Sequence, residues 1–211
     1  MSRKLFCIAA LLLMAQAGAA LAQTPGVGIE FEPYIGAYVP FSDLFADNIA
    51  GAQVTSKQTE GFALGGRLLF KLGGAMGIEG NFLYALSDVE SESPGGTTTE
   101  DAYAWAGDAR IHLSLLPLGV LSIHGTGGVA IVGHGGDAWE DVTEGDTDVA
   151  GVVGAGVKIG LGPVSLRGDA DVYIYEAQLT APNPTTPTTS IELGSEIQTD
   201  LVLSAGIVLS Y

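Results

Sequence analysis

The chain is 211 residues long and carries 24 acidic residues against eight basic ones, a formal charge of −16, with 31 glycines and one cysteine. A surface this acidic repels another polyanion, so nucleic acid is excluded as a natural partner. The lone cysteine, Cys7, excludes an internal disulfide framework.

Residues 1–22 read as a secretory signal peptide, not as part of the fold. Arg3 and Lys4 give a positive start, Leu5 to Met14 an apolar run too short to span a bilayer, and Ala20-Leu-Ala22 a small-residue cleavage site. The remaining domain, 23–211, has no cysteine, and its six basic residues against 24 acidic ones leave −18. Nothing in it approaches the roughly 20 apolar residues of a transmembrane helix, although 47% of the chain is hydrophobic. Alternation must therefore carry the apolar content.

That alternation begins at once. Ile29, Phe31, Pro33, Ile35, Ala37 and Val39 share one strand face, and Glu30, Glu32, Tyr34, Gly36 and Tyr38 the other. After a polar stretch, 41–60, residues 61–72 place Phe62, Leu64, Leu68 and Phe70 outward against Arg67 and Lys71 inward. Gly73-Gly74-Ala75-Met76 is a tight turn, and the return strand sets Ile78, Phe82 and Leu86 against Glu79 and Asn81. A second polar stretch, 87–101, precedes the clearest pattern. Tyr103, Trp105, Ala109, Ile111 and Leu113 stand on one face, and Asp108, Arg110, His112 and Ser114 on the other.

Beyond a short turn at Pro117-Leu-Gly119, Leu121, Ile123, Val129 and Ile131 continue outward with Ser122, His124 and Thr126 inward. A third long loop, 135–148, is followed by a strand pair around Gly162-Pro163 with Lys158, Arg167, Asp169, Asp171 and Tyr173 inward. The fourth loop, 176–200, holds Pro182, Pro184 and Pro187 among threonines and reads as extended or disordered. The last strand, 201–211, places Leu203, Ile207, Leu209 and the terminal Tyr211 on one greasy face.

Eight strands of about ten residues, joined by connections that alternate long and short, predict an all-β, eight-stranded antiparallel up-and-down transmembrane β-barrel. Short turns and both termini then lie in the periplasm and long loops outside. The charges agree, because no strand charge falls on the lipid face. Six acids (Glu30, Glu32, Glu79, Asp108, Asp169, Asp171) and five bases (Arg67, Lys71, Arg110, Lys158, Arg167) point inward, and the excess charge goes to the loops. In so narrow a barrel these groups are expected to pair and fill the bore. The turn at Gly162-Pro163 sets Lys158 opposite Arg167, a repulsive pair unless Asp169 or Glu30 lies between them.

Glu32-Pro-Tyr-Ile-Gly-Ala-Tyr38, Gly61-Phe-Ala-Leu-Gly-Gly-Arg-Leu68 and the aromatic terminus together resemble the outer-membrane β-barrel domain superfamily of OmpA, OmpX and opacity-type proteins. The resemblance covers 23–211 and lacks a C-terminal peptidoglycan-binding domain. It implies residence in the cell outer membrane and Leu203, Ile207, Leu209 and Tyr211 as the assembly signal. The partners it implies are membrane lipid, lipopolysaccharide and the barrel-assembly machinery, with the protein a monomer.

His112-Leu-Ser114 resembles the His-x-Ser of eight-stranded lipid A deacylases, but both side chains point inward and Leu115-Leu-Pro117 departs from that family's continuation. A turn centred on Leu118 would set His112 opposite His124, a pair that could hold a metal only with Glu30 or Glu79 added; a hydrogen-bonded polar layer accounts for them better. The third loop (Asp137, Glu140, Asp141, Glu144, Asp146, Asp148) could take a divalent cation, though a solvated acidic loop suffices. Gly125-Thr-Gly127 and Gly154-Ala-Gly156 precede no helix and are not nucleotide loops. No catalytic residue, resident metal or cofactor is expected, and the chain reads as a non-enzyme. Its expected role is structural or adhesin-like, with a charge-plugged lumen and acidic extracellular loops. The competing reading is an OmpW-like passage for small solutes, suggested by the small inward residues Gly36, Ala63, Gly65, Gly154 and Gly156.

Overall fold

A computed structural model describes residues 27–42, 45–49, 52–73, 75–93, 96–118, 120–139, 147–182 and 190–211. The signal peptide and the loop acids Glu140 to Asp146 lie outside the described residues. Ten strands follow in order: β1 Gly28–Pro40, β2 Phe45–Ile49, β3 Ala52–Gln58, β4 Gly61–Gly73, β5 Met76–Ser93, β6 Gly96–Leu118, β7 Leu121–Gly135, β8 Thr147–Gly160, β9 Val164–Pro182 and β10 Ser190–Ser210. A one-turn 3-10 helix, Asp137–Trp139, sits between β7 and β8.

Eight of these strands form the ring. Each pairs antiparallel with its neighbours, β5 with β6 and β1 with β10, so no open edge remains in the ring. Hydrocarbon offers backbone groups no other hydrogen-bond partner, and closure satisfies them by pairing around the ring except at one interruption in β1. Among the described residues no helix is long and apolar enough to cross a membrane. The outer face instead exposes a band of large apolar side chains, among them Ile35, Leu64, Phe82, Ile111, Val129, Val153, Ile174 and Ile207. In water such a band would drive aggregation, and in lipid it is the required solvent contact.

Three polar stretches read as loops are in part strand, and the ring strands reach 13–23 residues instead of about ten. The stretch 41–60 contains the β2–β3 hairpin, whose second strand pairs with β5 at Thr55 to Gln58, above the point where β4 ends. In 87–101, β5 and β6 stay paired out to Ser93 and Gly96. In 176–200, β9 and β10 pair from Tyr175–Gln198 out to Pro182–Ser190, with a bulge between Glu192 and Gly194. Once a ladder is established in the membrane, β-branched residues such as Thr97 to Thr99 and Val89 extend it without an apolar face. The outer boundary of the hydrocarbon is visible in the sequence, but the end of the strand is not. Asp200, assigned to the fourth loop, is on the inner face and buried.

The predicted register of β6 and β7 is also corrected. His112 lies opposite Thr126 and Ser114 opposite His124, with an irregularity between Ser114 and Leu116. That extra residue lets Leu115 and Leu116 both face outward, and the turn moves toward Val120. At Gly162 the backbone adopts φ +87°, which a side chain would strain, and Leu161 N–H closes the turn on Val164 O at 2.9 Å.

The ring has one weak point. Ile29 and Tyr211 exchange backbone hydrogen bonds, and counting by twos from that pair brings Pro33 to the position where it should donate to Ile207. Proline has no N–H to give, and the β1–β10 pairing is interrupted at Glu32 and Pro33. An outward groove of about 390 Å³ lies there, lined by Pro33, Ile35, Leu166, Ala205 and Ile207. Replacing Pro33 by Val supplies the missing donor and is expected to stabilise the barrel by about 1 kcal/mol. Urea-unfolding midpoints in lipid vesicles measure this, and a lower midpoint for the variant would contradict it.

Candidate functional site: the charged lumen

Because side chains alternate across each strand, β1, β4, β5, β6, β8, β9 and β10 all deliver polar groups to one narrow interior. Arg67 on β4 stands at its centre, 1% exposed. Its Nη1 donates to Glu32 Oε1 at 2.9 Å and to Asp169 Oδ2 at 3.1 Å, and its Nη2 to Asp171 Oδ2 and Ser204 Oγ, both at 2.8 Å. The guanidinium also lies over the Tyr34 ring, 4.2 Å from its centroid. One side chain thus ties β4 to β1, β9 and β10 across the bore.

Two further arginines complete the network. Arg110 donates to Asp108 at 2.6 and 2.7 Å, to Asp171 at 2.5 Å and to Tyr173 Oη at 2.8 Å. Arg167 reaches Glu79 at 2.6 Å and Asp169 at 2.9 Å, with Glu32 at 3.4 Å. The planar fork of arginine is suited to bridging several carboxylates at once, which a lysine ammonium does less well. Asn81 joins the layers by donating to Asp108 at 2.8 Å and accepting from Tyr34 at 2.9 Å.

Nearer the predicted periplasmic end, Glu30 accepts from Lys71 at 2.5 Å and from Lys158 at 3.0 Å, with Ser210 Oγ at 3.2 Å. Lys158 and Arg167 are direct cross-strand partners. Their charges are separated because Lys158 turns to Glu30 while Arg167 turns to Glu79 and Asp169. The structure therefore brings together all eleven charged residues expected to face inward. On the outer face, Leu203, Ile207 and Tyr211 are exposed to lipid and Leu209 partly so, with Tyr211 N–H bonded to Ile29 O at 2.9 Å.

Above the charged layer buried tyrosines and alanines line the bore. Tyr34, Tyr38, Tyr173 and Tyr175 pack among Ala63, Ala85, Ala104, Ala106, Ala130 and Ala150. Tyr175 Oη donates to Asp200 at 2.9 Å and lies 3.1 Å from His134, whose ring stacks on Trp139. The 3-10 turn thereby brings an indole over the upper lumen, packed with Val89 and Ala102. The small inward residues are closely approached by larger neighbours. A methyl group added at Gly65 would meet Tyr34 Oη at 2.3 Å, one at Gly154 would meet Asp171 Oδ1 at 2.0 Å, and one at Gly156 would meet Asp169 Oδ1 at 2.4 Å.

His112 and Ser114 remain on the inner side, and the His112 and His124 rings stack at 4.7 Å. His124 Nε2 lies 2.7 Å from Asp169 Oδ1, and His112 Nδ1 lies 3.4 Å from Glu79 Oε2. Among the described residues no group of three or more such side chains has the arrangement to hold a metal ion. The tyrosines, Asn81 and Ser204 are network members that sorting by charge passes over; only their inward position in the alternation marks them.

A ring of eight antiparallel strands with an apolar outer band and a buried salt-bridge network in its bore defines a small outer-membrane β-barrel protein. The model of the outer membrane protein beta-barrel domain family matches residues 6–194, and the chain belongs to that family. Its place is the cell outer membrane. No curated protein matches it in sequence. Among solved structures, it is similar to the outer membrane protein OprG of Pseudomonas aeruginosa, with TM-score 0.68 and 10% identity over 88% of this chain and 97% of that one. It is also similar to AlkL, solved in lipid bilayers (TM-score 0.56, 13% identity, 88% and 90% covered). Neisserial surface protein A gives 0.53 at 11% identity, with 86% and 96% covered. At these identities the likeness is one of fold.

Replacing Arg67 by Met leaves Glu32, Asp169 and Asp171 short of a shared counter-charge in a dry interior. The expected cost is about 3–5 kcal/mol of stability, measured by urea unfolding of the refolded protein. An unchanged midpoint would show that Arg67 is not the centre of the network.

Proposed function

We propose that this protein is a structural and surface-interaction barrel whose membrane section is a closed pillar. The observation that carries the reading is the Arg67 clasp, which joins four strands across the bore while tyrosines fill the space above it. On this reading solute passage has no continuous path. Nor is the chain an enzyme, since His112 is buried inside, on the side away from lipid. Its partners are outer-membrane lipid, lipopolysaccharide and the assembly machinery, and it acts as a monomer.

The contact surface on this reading is the part of the wall that stands above the apolar band. Ser114 N–H bonds Ala75 O, so the even-numbered residues of β6 turn their backbone toward β5 and Thr97, Thr99 and Asp101 turn theirs away. Among the described residues no strand pairs with Thr97 to Asp101 on that side. An unpaired edge is a ready template for an incoming strand. Its outer face carries Asp88, Glu90, Glu92 and Asp101 against Lys57, which favours a cationic partner and disfavours nucleic acid.

Planar-bilayer recordings of the refolded chain are expected to show no steady conductance, and persistent channels of nanosiemens size would overturn the closed pillar. Cells displaying the full chain are expected to adhere better than cells displaying a form with residues 89–100 replaced by a short turn. Equal adherence would remove the surface-contact half of the proposal.

A further inference from the structure

The charges of the central cluster do not balance. Among the described residues, the fixed cations that Glu32, Glu79, Asp108, Asp169 and Asp171 contact are Arg67, Arg110 and Arg167, through side chains at most 3% exposed. Five carboxylates against three guanidiniums leave two negative charges without a fixed counter-charge. The two lysines near the mouth offset Glu30 and leave one positive charge over, but Lys71 is 43% exposed and shares its charge with solvent. An uncompensated charge in a dry, membrane-embedded interior is expensive enough that the site binds a counter-charge or a proton instead.

Two observations indicate where that counter-charge sits. Each imidazole of the stacked pair aims a ring nitrogen at a carboxylate oxygen, His124 at Asp169 and His112 at Glu79. A carboxylate oxygen only accepts, so His124 Nε2 at 2.7 Å carries hydrogen, whereas His112 Nδ1 at 3.4 Å makes no hydrogen bond; the ring nitrogens left over can each take one proton more. The second is Glu32 Oε2, which is buried, makes no hydrogen bond and has the Arg167 guanidinium no nearer than 3.4 Å. A carboxylate oxygen in that situation is a natural seat for a proton. No arrangement suited to a metal ion is present among the described residues.

We infer that the cluster formed by Glu32, Glu79, Asp169, His112 and His124 is a proton-binding site that holds at least one exchangeable proton at neutral pH. The groups facing it are Arg67 from β4, Glu79 from β5, His112 from β6, His124 from β7, Arg167 and Asp169 from β9 and Glu32 from β1. The proton is shared among coupled groups, so its titration belongs to the cluster as a whole. The inference rests on the closed-pillar reading, because a water-filled lumen would screen the imbalance.

Linkage fixes the sign of the test. Between pH 7 and 8.5 an unfolded chain has released its histidine and carboxyl protons, while the folded cluster still holds one, so folding takes up a proton. The folded-to-unfolded ratio is then expected to fall about tenfold per pH unit for each proton held. Glu32→Gln removes one surplus negative charge, and its profile over the same range is expected to be flatter. Should that variant fail to fold, nitrogen-15 spectra of the histidine side chains and carboxyl infrared spectra of the wild-type barrel at pH 7.5 report the proton directly. A pH-independent wild-type stability, or neutral imidazoles together with fully ionised carboxylates, would overturn the inference. So would a pH profile that collapses when sodium or calcium is raised, since a metal cation would then be the counter-charge. Steady conductance would defeat the closed-pillar reading first, whereas a silent bilayer with a flat pH profile would defeat this inference alone.

Discussion

The hydrocarbon around the wall governs this molecule. Hydrocarbon outside forces every backbone group in the membrane section into a ladder, and the ladder must close on itself. Eight strands close into a bore just wide enough for side chains, and the charged groups delivered to its centre are buried. Charged groups placed there have to find each other. The arginine forks do this by spanning strands: Asp169 alone accepts from Arg67, Arg167 and His124. Opposite walls of the barrel are joined by charge as well as by the backbone ring.

Glycine serves this arrangement as much as the charges do. The glycines on the inner wall lie where Tyr34, Asp169 and Asp171 need the volume of a missing side chain. At the outer rim the same exchange occurs on the lipid side. Gly133 and Gly135 lie beneath Trp105 and Tyr103, their direct cross-strand partners, at distances a methyl group could not share. Small residues in this wall complement large neighbours, a fit that counting them in the sequence does not distinguish from space left open.

What the chain reveals before folding follows from what lipid forbids. Glu30, Arg67, Glu79, Asp108 and Arg167 could be assigned to the interior because a period of two leaves only two faces and one of them excludes charge. The same rule is silent above the membrane, where both faces of a strand meet water. The continuation of β5 and β6 to Ser93 and Gly96, and of β9 and β10 past Tyr175, has no such signature. Asp200 was misplaced for the same reason, standing at the edge where the rule stops applying. The irregularity after Ser114 escaped because two leucines in succession fit either face of an apolar wall. The tyrosines were legible as inward residues, but their hydrogen bonds to Asn81, Arg110 and Asp200 depend on distances that periodicity does not contain.

The pairing of charges along the chain also bears on how such a wall enters the bilayer. The first two ring strands carry Glu30 and Glu32 together with Arg67 and Lys71, and the contacts Lys71–Glu30 and Arg67–Glu32 lie within that pair. The next two carry Glu79, Asp108 and Arg110, with Arg110 bound to Asp108, and the last three-charge group, Arg167, Asp169 and Asp171, sits on one strand. Only the first pair is neutral within itself; Lys158 on β8 and Asp200 on β10 belong to later segments whose inner charges are matched across the barrel. A hairpin that already contains its own counter-ions crosses the hydrocarbon at far lower cost than one whose partners have yet to be inserted.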